Sequence, residues 1–486
     1  MNEQERKIAK NTSYFTLALI AQKVLSFFYF SYIAVKIGAT GLGQYSFAMF
    51  FTTIFAVLID LGLSNVIVRE VSKISADDKE STQKYFSSVL FIKIPLAILV
   101  YLLAATIINF LDNPPLIKQL VYFSGIIMVV DSFSLTFFAF LRARQNLFFE
   151  SIATVFTQVI IFICGALVVN YLSGDLRFLI LAILMASIFS LIVASVAIKK
   201  RLGLMFKVAL DRIILKKLWL IVIPFALAGI FTRVYGYLDT VLLNQLVGPT
   251  ALGFYSLPYK LTFSLQFIPL AFIASLYPAF ADYFVRAKDL LQKTFNKSLL
   301  YLAIISVPLA GGAIVLGKPL ILMFYSEKFA ASVTPLVILM ISLPFLFLNF
   351  PLGSLLNACD RQRRNTWHLA IVMVVNIVLN FILIPKYSYN GAAIASAVST
   401  FLMFILQMYV AGQIIILDKK FLIMKALAVI VSGAFMALMA YIINQSFGFW
   451  PAFVLSPLFY LLALWLFKVI SIKDLLFIKN SLHGKA

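Results

Sequence analysis

Long uninterrupted runs of apolar residues alternate with short polar segments along almost the whole chain. A run of about 20 apolar residues is long enough to cross the hydrocarbon core of a membrane as an α-helix. Fourteen runs are close to or above that length, and they are numbered here as predicted helices 1 to 14. Their bounds are 14–36, 44–63, 86–111, 117–141, 147–171, 177–198, 217–245, 252–281, 298–317, 331–357, 366–385, 391–416, 421–443 and 450–470. The pattern therefore predicts an all-α membrane protein with about 14 transmembrane helices.

The composition leaves too little polar material for a water-facing surface. Of the 486 residues, 63% are hydrophobic and 12% are charged, whereas a soluble domain usually carries about 25% charged residues. The two cysteines and two histidines form neither a disulfide framework nor a metal-binding spacing. We therefore predict a membrane protein without a metal or cofactor.

The positions of lysine and arginine predict the orientation in the membrane. Basic residues concentrate in segment 1–13, in the loops after the even-numbered predicted helices, and in the C-terminal tail. Cytoplasmic segments of membrane proteins carry such an excess, so we expect both termini in the cytoplasm and the chain in the cytoplasmic (inner) membrane. The net charge of +21 then reflects topology and attraction to anionic lipid headgroups, and we predict no nucleic-acid partner.

A short internal repeat divides the helices into two sets. Residues 38–46 and 248–256 agree at six of nine positions, at a constant offset of 210. The same offset places Lys23 over Arg233, and each segment follows the first helix of a six-helix set. We therefore predict two pseudo-symmetric lobes in parallel orientation, an arrangement typical of transporters.

The predicted lobes comprise residues 1–198 with helices 1–6, and residues 217–416 with helices 7–12. Residues 417–486 hold helices 13 and 14 and a cytoplasmic tail. These two helices provide either an apolar groove for a lipid tail or a packing surface. Residues 199–216, between the lobes, form a basic cytoplasmic linker with interspersed apolar residues. This linker is either an amphipathic helix on the inner leaflet or a simple basic loop.

Several charged residues fall within predicted helices, where charge is costly and usually paired or functional. They are the basic residues Lys23, Lys93, Arg233 and Lys260 and the acidic residues Asp60, Asp131 and Asp239. Counting about 1.5 Å per residue along each helix predicts the pairs Lys93–Asp131 and Asp239–Lys260. Asp60 lies near the cytoplasmic end of predicted helix 2, within reach of water. The three acids are thus expected to act in charge pairs or in gating.

Lys23 and Arg233 remain without an expected partner, each near mid-membrane on the first helix of its lobe. Two cations facing one cleft would form an anion site, because arginine offers a fork for phosphate oxygens and lysine a mobile point charge. Tyr237, Thr240 and Asn244 share a helix face with Arg233 and would suit a hydrated sugar. The predicted substrate-binding set is Lys23, Arg233, Tyr237, Thr240, Asn244, Lys93 and Lys260. Alternatively, the two cations pair with an acid or line the lumen structurally.

Six short motifs follow one another along both halves of the chain. They are Gly38 to Tyr45, Asp60-Leu61-Gly62-Leu63, Arg69-Glu70-Val71-Ser72, Leu355-Leu356-Asn357-Ala358, Asn376 to Pro385, and Asn390-Gly391-Ala392-Ala393-Ile394-Ala395. In order and spacing they resemble the Wzx-type O-antigen and capsule translocases, polysaccharide-biosynthesis flippases of the multidrug/oligosaccharidyl-lipid/polysaccharide superfamily.

The resemblance implies a carrier, not an enzyme, that flips a polyprenyl-pyrophosphate-linked oligosaccharide to the outer leaflet by alternating access. It also implies membrane lipids, a polysaccharide polymerase and a chain-length regulator as candidate partners. A multidrug or organic-cation antiporter of the same superfamily is an alternative, although it would need an unpaired acid in its lumen. A peptidoglycan-precursor flippase is another. A membrane enzyme would usually show long loops with clustered acids or histidines, which the sequence lacks.

Overall fold

The computed structural model describes residues 3–75, 77–416 and 418–469. For some of these residues it describes the backbone alone, namely 3–13, 217, 219–225, 228, 275 and 419. Helices account for nearly all of the described residues, and none of them belongs to a strand. Within these described ranges, eleven helices are long and apolar enough to cross a membrane. Two of them, α1 (Glu3–Asp60) and α12 (Gln362–Ile414), each consist of two helices that meet at a kink. Together with α7 (Arg212–Leu246), they confirm the all-α class with about 14 transmembrane helices.

The chain divides into two compact units, residues 1–256 and 257–486. Between α1 and α7, the first unit contains α2 (Leu63–Val71), α3 (Lys79–Phe110), α4 (Pro115–Ala143), α5 (Phe148–Tyr171) and α6 (Leu176–Ala197). The start of α8 (Pro249–Ser264) also belongs to it. Because α7 packs against α1, the first helix of the second repeat is part of the first unit. The predicted lobe boundaries follow the repeat and stay a prediction.

The second unit begins within α8. It continues with α9 (Phe267–Arg286), α10 (Lys288–Tyr325), a 3₁₀ turn at Glu327–Ser332, α11 (Val333–Ala358), α12, α13 (Lys419–Phe447) and α14 (Phe449–Leu466). Predicted helix 8 is thus two helices, α8 and α9, because the backbone turns at Leu265 and Gln266. Both C-terminal helices pack on α10. A β-carbon at Gly433 of α13 would lie 2.5 Å from Val307, and Tyr460 of α14 donates a 2.9 Å hydrogen bond to the carbonyl of Ile304.

Both long helices break where the sequence predicts a gap between helices. Gly38 in α1 has φ 70° and Ser388 in α12 has φ 52°, values that glycine adopts easily and other residues rarely. In α12 the two helices approach so closely that a β-carbon at Gly391 would overlap the carbonyl oxygen of Leu383. The predicted breaks between helices 1 and 2 and between helices 11 and 12 are confirmed.

In the described part of the chain, four helices begin at an aspartate. The carboxylates of Asp78, Asp175, Asp211 and Asp418 accept hydrogen bonds from backbone N–H groups at the starts of α3, α6, α7 and α13. A side chain in this position satisfies donors that the first helical turn leaves unpaired. Several of the acids outside the spans therefore set the points at which helices begin.

The linker between α6 and α7 is anchored to the first unit. It starts with a π-helical turn at Ile198–Leu202 and continues without helix through residues 203–211. Gln83 on α3 makes two 2.8 Å hydrogen bonds to the backbone of Met205, one as donor and one as acceptor. The ring of Phe206 packs on that of Phe86, with centroids 5.5 Å apart. Residues 203–211 thus form a loop, whereas residues 199–202 and 212–216 of the predicted linker are helical.

Candidate substrate-binding site

An ion pair joins α1 and α3 inside the first unit. Lys93 Nζ lies 3.5 Å from Asp60 Oδ1 and donates a 2.6 Å hydrogen bond to Thr136 Oγ1 on α4. The side chain of Lys93 is fully buried, and that of Asp60 is 17% exposed. Asp60 also accepts a 2.5 Å hydrogen bond from Ser64, and the ring centroid of Phe133 lies 5.8 Å from Lys93 Nζ. The pair neutralises a lysine whose charge would otherwise be buried alone, at a large cost in free energy.

The structure corrects the predicted pair Lys93–Asp131, because Asp60 is the ion-pair partner of Lys93 among the described residues. The count of residues along each predicted helix places Asp60 at a helix end, where its carboxylate would reach water. In the structure the chain turns at residues 61 and 62, with φ 46° and 78°, and α2 packs against α4. This turn keeps the carboxylate inside the helix packing. Asp131 has an exposed side chain, and its carboxylate faces Ser187 on α6.

Lys23 on α1 and Arg233 on α7 both have exposed side chains. Neither makes a salt bridge or a hydrogen bond to another residue in the part of the chain that the structure describes. The two positions correspond under the repeat. A cation within a membrane span stays charged only where water, an acid or an anionic ligand reaches it. Their role in binding an anion stays a prediction.

The polar stripe on α7 divides into an accessible part and a buried part. Tyr237 is half-buried, and its ring stacks on Phe50 with centroids 5.3 Å apart. Thr240 donates a 2.5 Å hydrogen bond to the carbonyl of Tyr237, and Asn244 donates one of 3.0 Å to Asn113. Thr240 and Asn244 are both buried. In this conformation these two residues contribute to helix packing, and Arg233 and Tyr237 are the more accessible members of the stripe.

Asp239 lies beside that stripe and is buried. Its carboxylate accepts a 2.5 Å hydrogen bond from the hydroxyl of Tyr255 on α8 and one of 2.7 Å from the backbone N–H of Thr240. Lys260 is half-buried and belongs to the second unit. The pair Asp239–Lys260 stays a prediction, as does the role of Lys260 in substrate binding.

Buried amides in α12 are absent from the predicted site residues. Asn380 donates a 3.0 Å hydrogen bond to the side chain of Asn376, which in turn donates one of 3.1 Å to Ser399. Gln407 donates a 2.9 Å hydrogen bond to Asn365. The signal in the sequence is the four-residue spacing of Asn376 and Asn380 in an apolar helix, which puts both amides on one face. No group of three His, Cys, Asp or Glu side chains suited to a metal ion occurs among the described residues.

This fold is shared with solved structures of a lipid II flippase MurJ and of a multidrug resistance MATE family transporter of the MOP superfamily. A family model described as polysaccharide biosynthesis protein matches residues 8–284, more than half of the chain. The protein belongs to this polysaccharide biosynthesis family. A second model, MatE, matches residues 224–382.

Three similar proteins span most of the chain. The capsular polysaccharide biosynthesis protein CapF of Staphylococcus aureus is 23% identical over 83% of this chain and 98% of its own length. The lipid II flippase MurJ of Bacillus subtilis is 24% identical over 92% and 90%, respectively. A solved structure of lipid II flippase MurJ in the inward closed conformation superposes with a TM-score of 0.74, at 18% identity, over 95% of this chain and 99% of that one. Another similar protein, AglR of Haloferax volcanii, is named a probable flippase.

Proposed function

We propose that this protein is a flippase for a polyprenyl-pyrophosphate-linked oligosaccharide, such as an O-antigen, capsule or exopolysaccharide repeat unit. The observation that supports this proposal is the difference in burial and ion pairing among the basic residues of the predicted spans. Lys93 is buried and neutralised by Asp60. Lys23 and Arg233 are exposed and make no ion pair with any described residue. Two accessible cations at repeat-equivalent positions suit an anionic headgroup that carries two phosphates.

The sugar and the lipid tail make different demands on the protein. Tyr237 lies one helical turn beyond Arg233 and is half-buried against Phe50, so an aromatic surface adjoins the cation on the side where a sugar would extend. The polyprenyl tail remains in the lipid while the headgroup crosses. CapF is named for capsular polysaccharide biosynthesis and MurJ as a lipid II flippase, and both names favour a substrate of this class.

In this proposal the protein lies in the cytoplasmic membrane with both termini in the cytoplasm, and it works by alternating access. Outward movement of an anionic headgroup is favoured by a negative-inside potential, by about 2.3 kcal/mol per charge per 100 mV. The flipped oligosaccharide would then be available outside to a polysaccharide polymerase and a chain-length regulator, the two candidate protein partners.

The test is flipping of a fluorescent polyprenyl-pyrophosphate oligosaccharide in vesicles that contain the purified protein. Lys23→Ala and Arg233→Ala should each slow flipping about 10- to 100-fold, because a hydrogen bond to a charged group contributes about 1.5–3 kcal/mol. Arg233→Lys should retain part of the rate. Lys84→Ala is the control, since Lys84 pairs with Glu80 at the start of α3, away from the stripe. Wild-type rates in well-folded Lys23 and Arg233 variants would reject the anion site.

An organic-cation antiporter is the second candidate, and two observations favour it. Asp131 is an exposed acid within a span, without an ion-pair partner in the described part of the chain, and the MatE model covers residues 224–382. The same vesicles should therefore be tested with a fluorescent organic cation. Cation transport that is lost in Asp131→Asn, without any flipping of the oligosaccharide, would replace the first proposal by this one.

A further inference from the structure

A polar cavity lies in the first unit, beside the turn that joins α5 and α6. Its volume is about 410 Å³, which falls within the range of about 300–1,000 Å³ that is typical of small-molecule sites. Lys36 and Gln44 of α1 line it from the two sides of the kink. Ser173, Asp175 and Arg177 line it from the turn and the start of α6. The cavity thus offers a ligand charged, amide and hydroxyl groups together.

The charges that line this cavity leave one cation unbalanced. The Arg177 guanidinium donates hydrogen bonds of 2.8–3.2 Å to the Asp175 carboxylate, and the backbone N–H of Arg177 donates another of 2.9 Å. The two side chains therefore neutralise each other. Lys36 is exposed and makes no ion pair with any residue in the described ranges. Its ammonium group gives the cavity one positive charge beyond the neutral pair.

Lys36 is positioned by a contact between α1 and α5. Its ammonium nitrogen lies 5.9 Å from the ring centroid of Tyr32, one helical turn earlier. The hydroxyl of Tyr32 donates a 3.0 Å hydrogen bond to Asn170 near the end of α5. An aromatic ring attracts a cation through its quadrupole and does not neutralise it. The ammonium group is therefore held beside the cavity with its positive charge intact.

Exposed aromatic and apolar side chains flank the same turn. Tyr171 and Leu172 lie at the end of α5, and Phe178 lies in the first turn of α6. All three side chains are exposed. Because α5 and α6 are membrane spans, their ends lie at a membrane–water interface, where aromatic side chains are typically found at the level of the lipid headgroups. A charged ligand of this cavity would therefore have apolar protein surface beside it.

We propose that this cavity binds the headgroup of an anionic phospholipid such as phosphatidylglycerol. The phosphodiester carries one negative charge and pairs with the Lys36 ammonium. The Gln44 amide and the Ser173 hydroxyl bind the glycerol hydroxyls, and the acyl chains extend along the exposed apolar side chains. A pyrophosphate carries more negative charge than one free lysine balances, and free inorganic phosphate would leave the flanking apolar surface unused. The predicted topology places the site in the outer leaflet.

This inference does not rest on the proposed flippase function. Lys36 lies 13 residues beyond Lys23 on the same helix, roughly 20 Å along its axis. A bound headgroup would join α1 to the turn between α5 and α6. Any ligand that binds only the folded state stabilises it by mass action. The lipid should therefore stabilise the first unit whatever the protein transports.

The first experiment is native mass spectrometry of the purified full-length protein, titrated with phosphatidylglycerol or with phosphatidylcholine of the same acyl chains. Phosphatidylglycerol should bind about fivefold more tightly, the factor expected from one lysine near an anionic lipid. Lys36→Ala should abolish this preference, and Lys36→Arg should retain it. Asp175→Asn frees the Arg177 guanidinium and should tighten phosphatidylglycerol binding about fivefold further, although loss of the α6 cap destabilises the protein.

Lys118→Ala is the matched control. Lys118 is also a basic residue at the predicted outer end of the first lobe, but it does not line the cavity and donates a 3.4 Å hydrogen bond to the carbonyl of Asn109. This variant should keep the preference for phosphatidylglycerol. Equal affinities for the two lipids, or equal losses in Lys36→Ala and Lys118→Ala, would overturn the proposal. Displacement of the lipid by inorganic phosphate at a similar concentration would reassign the site to free phosphate.

The second experiment locates the bound lipid in vesicles that contain the protein. Phosphatidylglycerol with a photoreactive group near the head end of one acyl chain should cross-link to residues 171–178, and Lys36→Ala should remove these cross-links. Cross-links confined to other helix ends would contradict the proposal. Lipid preference without flipping of the oligosaccharide would reject the proposed substrate alone, whereas flipping without this preference would reject the lipid site alone.

Discussion

Replacement of Asp60 by asparagine should destabilise the protein more than replacement of its partner Lys93 by methionine. Asp60→Asn leaves the lysine charge in a fully buried position, with the Thr136 hydroxyl 2.6 Å away. A buried charge left without its partner costs about 3–5 kcal/mol. Lys93→Met leaves a carboxylate that is 17% exposed and hydrogen-bonded to Ser64, so the expected loss is about 1–3 kcal/mol.

The double variant should recover most of this loss, because it leaves no buried charge that requires a counter-charge. The assay is a double-mutant cycle in which the free energy of unfolding of all four proteins is measured in detergent micelles by denaturant titration. Asp131→Asn is the matched control. It removes another intramembrane carboxylate, but one outside the Lys93–Asp60 pair, and should change stability little.

Equal losses in the two single variants would contradict the burial argument. Additive losses in the double variant would mean that Lys93 and Asp60 do not interact. A loss in Asp131→Asn as large as that in Asp60→Asn would favour the pairing expected from helix depth. The cycle thus tests the partner of Lys93 without reference to any substrate.

Two further predictions concern segments outside the membrane. Gln83→Ala removes both hydrogen bonds to the backbone of Met205. Because each bond contributes about 0.5–1.5 kcal/mol, tryptic cleavage at Lys207 should become about 5- to 100-fold faster. Unchanged cleavage by mass spectrometry would show that these bonds do not hold the linker. A hydrogen bond from the Arg177 side chain lowers the pKa of Asp175 from its ordinary value of 3.8. A carboxylate with a lowered pKa stabilises the folded protein above its unfolded-state pKa, and this stabilisation is lost as the pH falls through its folded-state pKa. Asp175→Asn should therefore lower the melting temperature at pH 7. In acid, the melting temperatures of the variant and the wild type should converge. A difference that stayed constant with pH would refute this.

The candidate site depends on which intramembrane charges are already neutralised. Asp60 and Lys93 neutralise each other in the first unit, and Asp239 accepts hydrogen bonds from Tyr255 and from the backbone. Lys23 and Arg233 are exposed. This distribution favours an anionic substrate over an organic cation, although the exposed Asp131 keeps the antiporter as the alternative to be tested.

The sequence by itself determined the helices and their breaks. Whether a segment can span a membrane depends on the length of its apolar run, which is a local property. The kinks at Gly38 and Ser388 accordingly lie in the two gaps between predicted helices. The offset of 210 was also readable from the sequence, because it requires only the comparison of two short segments. The extra helix α2 and the division between α8 and α9 were not predicted, since both follow from backbone turns inside apolar stretches.

The contacts between helices were decided by the tertiary structure. Lys93 pairs with Asp60 because the turn at residues 61 and 62 directs that carboxylate into the packing, which a count of residues along straight helices does not reveal. The tertiary structure also buries Thr240 and Asn244, so these two members of the predicted polar stripe are not accessible to a ligand in this conformation. The repeat shows that residues 40 and 250 are equivalent, but equivalence does not require contact. The hydroxyl oxygens of Thr40 and Thr250 lie 2.9 Å apart because the two repeat segments pack against each other. Such long-range packing cannot be inferred from local sequence patterns.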